Sequence, residues 1–223
     1  MVKLIYNNDQ TGHITFDNLP ESHALSAAFD TLEKVKSFFE DEKLKGVIIE
    51  IRGDQPWSEK IFPGNQFAKL LHLIRFAPVP AIAVIYGKCM GKDLRIALAC
   101  HFRVSSSGAV FGFTDCGTSE GYEQPLRSFA KKDRGTINRL LTTGKVFSAR
   151  EALACGLIDA AVQNEPYNAA NAFIQAIVSK HSNSSIRLVM RTVHNAIQLT
   201  KEQALKEEIS IFRDLARHYD PSK

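Results

Sequence analysis

The segment that most constrains the fold runs from Ile85 to Val104. It starts in the apolar run Ala81 to Tyr86, is interrupted by Gly87 and Gly91, and continues with apolar residues at helical spacing from Leu94 to Ala99. This pattern predicts a strand, a tight turn and a helix. The first backbone N–H groups of a helix have no acceptor within it and lie at the positive end of its dipole. The helix start could therefore bind a phosphate or the oxyanion of an enolate, although a purely structural turn would use the same glycines.

The composition is that of an ordinary globular chain. Its 223 residues, 44% of them hydrophobic, suffice for one domain with a large core or for a core domain with a small appendage. The net charge is +4, and the basic residues are scattered, so we expect no nucleic-acid partner. No apolar run approaches the roughly 20 residues of a membrane span, and we expect a cytoplasmic protein without a membrane partner.

The cysteines give no sign of a metal site. Cys89, Cys100, Cys116 and Cys155 form no Cys-x-x-Cys pair, and each lies in or beside an apolar or turn segment. We interpret them as reduced, structural thiols and predict no bound metal.

Between residues 2 and 162, β-branched runs alternate with segments of helical periodicity. The predicted strands are Val2 to Tyr6, His13 to Phe16, Val47 to Ile51, Ala81 to Ile85, Phe102 to Ser105, Ala109 to Phe113 and Leu157 to Val162. The predicted helices are Ser26 to Asp41 with Ser26 as N-cap, Asn65 to Phe76, the segment after Gly91, Arg134 to Leu141, and one opened by a capping box at Ser148 to Glu151. This order predicts an α/β protein with a mostly parallel sheet.

Near residue 164 the pattern changes to helices without strands. We predict a core domain over residues 1–163 and a helical region over residues 164–223, with helices at Tyr167 to His181, Ser185 to Leu199 and Lys201 to Tyr219. The last helix has an apolar stripe of Leu205, Ile209, Phe212, Ala216 and Tyr219. This stripe either packs on the chain's own core or docks on a neighbouring subunit.

Four segments in order resemble the crotonase superfamily, the enoyl-CoA hydratase/isomerase family. His23-Ala-Leu-Ser26 resembles its Asn-Ala-Leu-Ser helix entry, and Tyr86 to Cys100 resembles its Asn-Gly-x-x-x-Gly-Gly-Gly-x-Glu-Leu-Ala-Leu-Ala-Cys-Asp segment. Phe111-Gly112 with Asp115 is similar to Phe-Gly-x-Pro-Glu, and Thr143 to Asp159 is similar to Thr-Gly-x-x-x-x-Ala-x-Glu-Ala-x-x-x-Gly-Leu-Val-Asn.

The resemblance implies a crotonase-like ββα spiral core with a C-terminal helical region that takes part in trimerisation, in a homotrimer or hexamer. It implies acyl-CoA or acyl-carrier-protein thioesters as substrates, with coenzyme A as part of the substrate and no permanently bound cofactor. The family's two oxyanion donors correspond to the backbone amides of Lys92, which follows Gly91, and Ile61. Backbone contacts to the CoA adenine correspond to Ala24 and Leu25.

Two positions depart from the family pattern. Where its hydratases carry a pair of glutamates as acid and base, this chain has Arg95 and Asp115. A guanidinium stays protonated near neutral pH and cannot act as a general base, so the sequence argues against simple hydration. His101 replaces the usual Asp of the family, and we interpret it as a structural histidine.

Three hypotheses remain open from the sequence. In the first, Asp115 alone shuttles a proton, as in single-carboxylate isomerases. In the second, Arg95 binds a substrate carboxylate, as in a decarboxylase or hydrolase of a dicarboxylic acyl thioester, with Lys60, Lys92 or Tyr122 as proton donor. In the third, the site is inactive and the chain is a partner subunit.

Overall fold

The computed structural model describes residues 2–7, 9–16, 24–53, 65–113, 135, 138, 139 and 142–218. Within these ranges, six strands form the main sheet in the order β1-β2-β3-β4-β6-β9. Its strands are β1 (Val2–Tyr6), β2 (Thr11–Phe16), β3 (Gly46–Ile51), β4 (Ala81–Ile85), β6 (Phe102–Ser106) and β9 (Ala160–Val162). β1 and β2 pair antiparallel, and every later neighbour in this sheet is parallel. The predicted opening hairpin and the mostly parallel sheet are confirmed.

A smaller sheet lies beside it and contains β5 (Lys88–Met90), β7 (Val110–Gly112) and β8 (Phe147–Ser148). The sequence did not predict β5 or β8. They have only three and two residues, so no periodicity can develop, and their pairing partners are distant in the chain.

Seven helices have bounds within the described residues. They are α1 (Ala24–Glu40), α2 (Gln66–Arg75), α3 (Lys92–Ala99), α4 (Ala149–Ala154), α5 (Pro166–Val178), α6 (Asn183–Gln198) and α7 (Lys201–His218). None of the helices in this part of the chain combines the length and apolar character needed to cross a membrane.

The two faces of the main sheet are buried differently. On one face, α1, α2 and α3 cover a large core in which alternate strand residues such as Ile49, Ala83 and Ile85 take part. On the other face, α5 packs through Ala170 and Ile174 onto a smaller cluster. The helical region therefore begins with a helix that belongs to the sheet's own packing, while the boundary near residue 164 stays a prediction.

Several local predictions can be compared with the structure. The predicted capping box of Ser148 and Glu151 is present, and Thr200 and Gln203 form a second one at the start of α7. The prediction of Ser26 as N-cap was wrong, because α1 begins at Ala24 and Ser26 lies inside its first turn. The last strand begins at Ala160 rather than Leu157. Most of the predicted helix from 134 to 141 lies outside the described residues.

Buried hydrogen bonds give a structural role to the end of the segment from Thr143 to Asp159. Arg103 on β6 donates from Nε to the Leu157 carbonyl at 2.7 Å and from Nη1 to the Cys100 carbonyl at 2.8 Å. Its backbone N–H donates to Asp159 Oδ2 at 2.8 Å. This segment therefore connects α4 to the sheet, and the carboxylate of Asp159 has a structural role.

The apolar stripe of α7 faces outward. Leu205, Ile209 and Phe212 are 56%, 50% and 63% exposed. Of the two alternatives for the stripe, packing on the chain's own core was wrong for these three residues. Neighbouring α6 adds exposed Val189, Val193 and Ile197.

Candidate active site

The turn into α3 has the tight backbone conformation that Gly91 suggested in the sequence. Gly91 precedes the helix with φ 53° and ψ −121°, a conformation that L-residues rarely adopt. The first helical hydrogen bond runs from the Arg95 N–H to the Gly91 carbonyl at 3.1 Å. The amides of Lys92 and Asp93 precede that bond, so they lie at the positive end of the helix, where a developing oxyanion is stabilised.

A close backbone approach holds the end of β3 against the strand that leads to α3. Gly53 has φ +77°, and a Cβ placed there would be 1.9 Å from the Lys88 carbonyl oxygen. Only glycine fits such a contact. The loop after β3 therefore begins beside the segment that carries Gly91, as a site built from both loops would require.

The side chains at the start of α3 are largely buried. Arg95 and Asp93 are 5% and 8% exposed. The Lys92 ammonium lies over the Phe67 ring, 5.5 Å from its centroid, so this side chain packs toward α2. The side chain of Lys92 thus points toward α2, while its backbone amide lies at the N-terminal end of α3.

The structure covers only part of the predicted site. It brings Gly91, Lys92 and Arg95 together at the start of α3. Ala24 and Leu25 form the first turn of α1, without described side chains. Asp115 and Ile61 lie outside the described residues, as do Lys60 and Tyr122.

Sequence reasoning missed a polar cluster on the sheet. Glu50 lies within the otherwise apolar strand β3, and its side chain is 6% exposed. Its Oε1 is 2.9 Å from His13 Nε2, and its Oε2 accepts a hydrogen bond from Arg52 Nη2 at 2.6 Å. A carboxylate in a run such as Gly46 to Ile51 is the signal that could have revealed it, because a buried charge requires partners.

The cluster lines a pocket of about 290 Å³ at the carboxyl ends of β2 and β3. Among the described residues, its lining is Lys3, Ile5, His13, Thr15, Phe16, Glu50, Ile51, Arg52, Asp93 and Ile96. Glu50 and Asp93 therefore both border this pocket, which reaches from the sheet to the first turn of α3.

Burial sets the protonation state of His13. Burial lowers the pKa of this imidazole, and the negative charge of Glu50 opposes the shift without reversing it. His13 is therefore neutral at neutral pH. Nearby, burial and a hydrogen bond to Glu165 raise the pKa of Tyr86, whose ring lies 4.9 Å from the Arg52 guanidinium carbon.

His101 has a structural position. Its Nδ1 accepts a hydrogen bond from the Ala81 N–H at 3.0 Å, which joins the end of α3 to the start of β4. Cys89, Cys100 and Cys155 are buried, and burial raises the pKa of the first two thiols. Within the described ranges, no group of three or more potential ligands is arranged to hold a metal ion.

Comparison with protein families identifies the chain's relatives. The family model described as enoyl-CoA hydratase/isomerase matches residues 48–223. The chain belongs to the enoyl-CoA hydratase/isomerase family. Its membership of the crotonase superfamily, expected from the four sequence segments, is confirmed.

Two relatives of this family member are named as hydratases. The chain is 27% identical over 146 residues to a crotonyl-CoA hydratase of Syntrophomonas wolfei, covering 65% of this chain and 56% of the relative. It is 28% identical over 152 residues to a short-chain-enoyl-CoA hydratase of Clostridium acetobutylicum, covering 67% and 57%. The match thus spans little more than half the length of these relatives.

Solved structures confirm the crotonase-like α/β fold. Pseudomonas aeruginosa DspI matches with a TM-score of 0.81 and 20% identity over 98% of this chain and 96% of that one. The Mycobacterium smegmatis enoyl-CoA hydratase matches with a TM-score of 0.77 and 17% identity over 99% and 92%. A monofunctional enoyl-CoA isomerase of M. smegmatis gives 0.74 and 22% over 92% and 97%.

Proposed function

We propose that this family member is an enzyme of acyl-CoA or acyl-carrier thioesters that acts through an enolate held in an oxyanion hole at the start of α3. The observation that carries the proposal is the Gly91 turn, which places the Lys92 amide at the positive end of a buried helix. Coenzyme A enters as part of the substrate. The relatives named as hydratases of short enoyl thioesters support this substrate class.

We further propose that the reaction is isomerase-like, with Asp115 as the single carboxylate of the family's pair. Arg95 occupies the other position and cannot accept a proton. Its burial in α3 supports a second candidate, in which Arg95 binds the free carboxylate of a dicarboxylic acyl thioester that is decarboxylated or hydrolysed.

The proposal includes an oligomer of this chain. Exposed apolar residues of α6 and α7 form a surface that we assign to contacts between copies of this chain in a homotrimer or hexamer. An acyl carrier protein is an alternative carrier of the acyl group.

Two variants at position 92 separate the backbone oxyanion donor from the side chain that packs toward α2, because both lose that side chain. Lys92→Pro deletes the backbone N–H at the first helical position, where proline is well tolerated, whereas Lys92→Ala keeps it. With enoyl-, malonyl- and glutaconyl-CoA, we expect the proline variant to lose about 100-fold or more in kcat/KM relative to the alanine variant. Equal turnover by the two variants would remove the oxyanion hole from the proposal. Absence of turnover by the wild type on all three thioesters would support the inactive partner subunit instead.

A further inference from the structure

At the carboxyl ends of β3 and β4, two segments of the chain leave the main sheet side by side. Ile51 pairs with Ile85 on the last rung of the β3–β4 ladder, and the Tyr86 N–H donates to the Ile51 carbonyl at 3.0 Å. Beyond this bond, β3 continues to Gly53, and β4 continues through β5 to Gly91. Contacts outside the strand ladder therefore set the distance between the two segments.

Arg52 and Tyr86 make such a contact. The Arg52 guanidinium carbon lies 4.9 Å from the centroid of the Tyr86 ring, which is a cation–π geometry. Tyr86 stands where the Asn-Gly of the family pattern begins, and an asparagine has no aromatic ring. The contact is therefore a feature of this chain that the family pattern does not contain.

Both side chains are held by further polar contacts. Arg52 Nη2 donates to Glu50 Oε2 at 2.6 Å, a charge-assisted bond to a carboxylate whose side chain is 6% exposed. The Tyr86 carbonyl accepts a hydrogen bond from Ser106 Oγ at 2.6 Å, and the Tyr86 hydroxyl is hydrogen-bonded to Glu165, the N-cap of α5. A continuous row of contacts thus runs from Glu50 on β3 to the start of α5.

This row lies on the face of the main sheet that α5 covers. Ile48 and Val84 belong to the cluster beneath α5, and Glu50 and Tyr86, two residues further along the chain, point to the same face. Because α3 packs on the opposite face, the row does not contact an acyl group held at the Lys92 amide. Its influence on that site must pass through the backbone.

The backbone route from the row to the proposed oxyanion donor is short. Tyr86 is followed by Gly87 and by β5, which leads directly into Gly91. On the neighbouring segment, the Arg52 carbonyl oxygen is 3.4 Å from a Cβ placed on Gly87. A change in the separation of Arg52 and Tyr86 therefore moves the segment that carries the Lys92 amide relative to the segment after β3.

We propose that Arg52 and Tyr86 are positioning residues that set the separation of the two oxyanion-hole loops, an inference that rests on the proposed thioester activity. The Lys92 amide follows β5, and the second donor assigned from the family pattern belongs to the segment after β3. Both N–H groups must lie within about 3 Å of one oxygen. Misplacement by about 1 Å can cost about 100-fold in rate. Because the oxyanion develops in the transition state, the contact acts on kcat rather than on KM.

The experiment measures kcat and KM with enoyl-, malonyl- and glutaconyl-CoA. Arg52→Met removes the cation and Tyr86→Leu removes the ring, and we expect each to lower kcat about 10-fold with KM within about twofold of wild type. The double variant should lose no more than either single variant, because both remove one contact. Arg52→Lys keeps a cation and Tyr86→Phe keeps a ring, so both should recover most of the lost kcat.

A bound cinnamoyl-CoA gives a second measurement that a purely structural role would not change. N–H donors that polarise its carbonyl move its absorbance to longer wavelength, so the size of this red shift reports the oxyanion hole. Arg52→Met and Tyr86→Leu should bind the thioester with a smaller red shift. Arg150→Met, at an exposed arginine on α4, is the matched control and should keep the wild-type red shift and kcat.

The outcomes separate this inference from the proposed function. Arg52 is 58% exposed, so we expect its variants to fold, and circular dichroism checks this. Wild-type kcat or a full red shift in folded Arg52→Met or Tyr86→Leu overturns the positioning role and leaves the proposed function intact, as do independent losses that multiply in the double variant. No wild-type turnover of any thioester overturns the proposed function and this inference together.

Discussion

The Nε2 atoms of His101 and His194 lie 3.4 Å apart, and this contact joins the end of α3 to α6. Because His101 Nδ1 accepts the Ala81 N–H, the neutral ring carries its proton on Nε2 and can donate it to His194. Protonation of His194 would bring two N–H groups face to face. The hydrogen bond between His101 and His194 therefore requires that the pair remain neutral.

This contact predicts that stability falls in mild acid. Burial, followed by repulsion from His194, lowers the pKa of His101 from 6.5 to about 4. Above about pH 6.5 both folded and unfolded states are neutral at this residue; below it the unfolded state binds the proton first, so stability falls until about pH 4 and then levels off. We expect a loss of about 3 kcal/mol across that window, measured by denaturant titration.

The matched variants for this measurement are His101→Asn and His181→Asn. Asparagine at 101 retains an acceptor for the Ala81 N–H but does not titrate, so the part of the pH dependence due to this residue should disappear. His181 is exposed, and its replacement should leave the wild-type slope. An unchanged acid slope in His101→Asn would show that the pair does not control this transition.

The contact between Gly53 and Lys88 predicts a large effect from a single methyl group. In Gly53→Ala, the new Cβ meets backbone rather than a movable side chain, and the residue already has a positive φ. We expect a loss of about 2 kcal/mol or more in the free energy of unfolding, together with reduced thioester turnover as the β3 loop separates from β5.

Gly108→Ala is the control for that experiment, since a Cβ there meets nothing within 4 Å. It should leave unfolding and turnover close to wild type. If Gly53→Ala is as stable and active as Gly108→Ala, the close approach does not organise the site.

Whether an element of the fold could be predicted from the sequence depended on how far apart in the chain its interacting residues lie. The helix at Lys92 has apolar residues at helical spacing and the strand at Val47 is a β-branched run, so the sequence predicted both. The β5 and β8 strands have almost none, because they exist only through pairing with β7. Local pattern cannot report a partner that is distant in the chain.

The residues of the candidate site also differ in whether their signal is local in the sequence or depends on strand pairing. Gly91 and Lys92 were predicted because the turn, the helix start and the anion-ready amides all follow from adjacent residues. His13 and Glu50 lie 37 positions apart and meet only because β2 and β3 pair in parallel, with His13 opposite Ile48. The sequence shows Glu50 as a charged residue in an apolar strand, but its partner could be identified only from the register of the sheet.

The exposed face of α6 and α7 predicts a subunit contact that one charge can break. Phe212 is 63% exposed and lies on the same stripe as Ile209, opposite the buried Ile211 that packs inward. In Phe212→Glu, burying a carboxylate between subunits would cost more than the apolar contact contributes, so we expect a shift from trimer or hexamer to monomer in sedimentation or light-scattering experiments. Leu153→Glu replaces a 43% exposed apolar residue on α4, outside this face, and should keep the wild-type mass. A monomeric wild type, or an unchanged oligomer in Phe212→Glu, would exclude this face as the subunit contact.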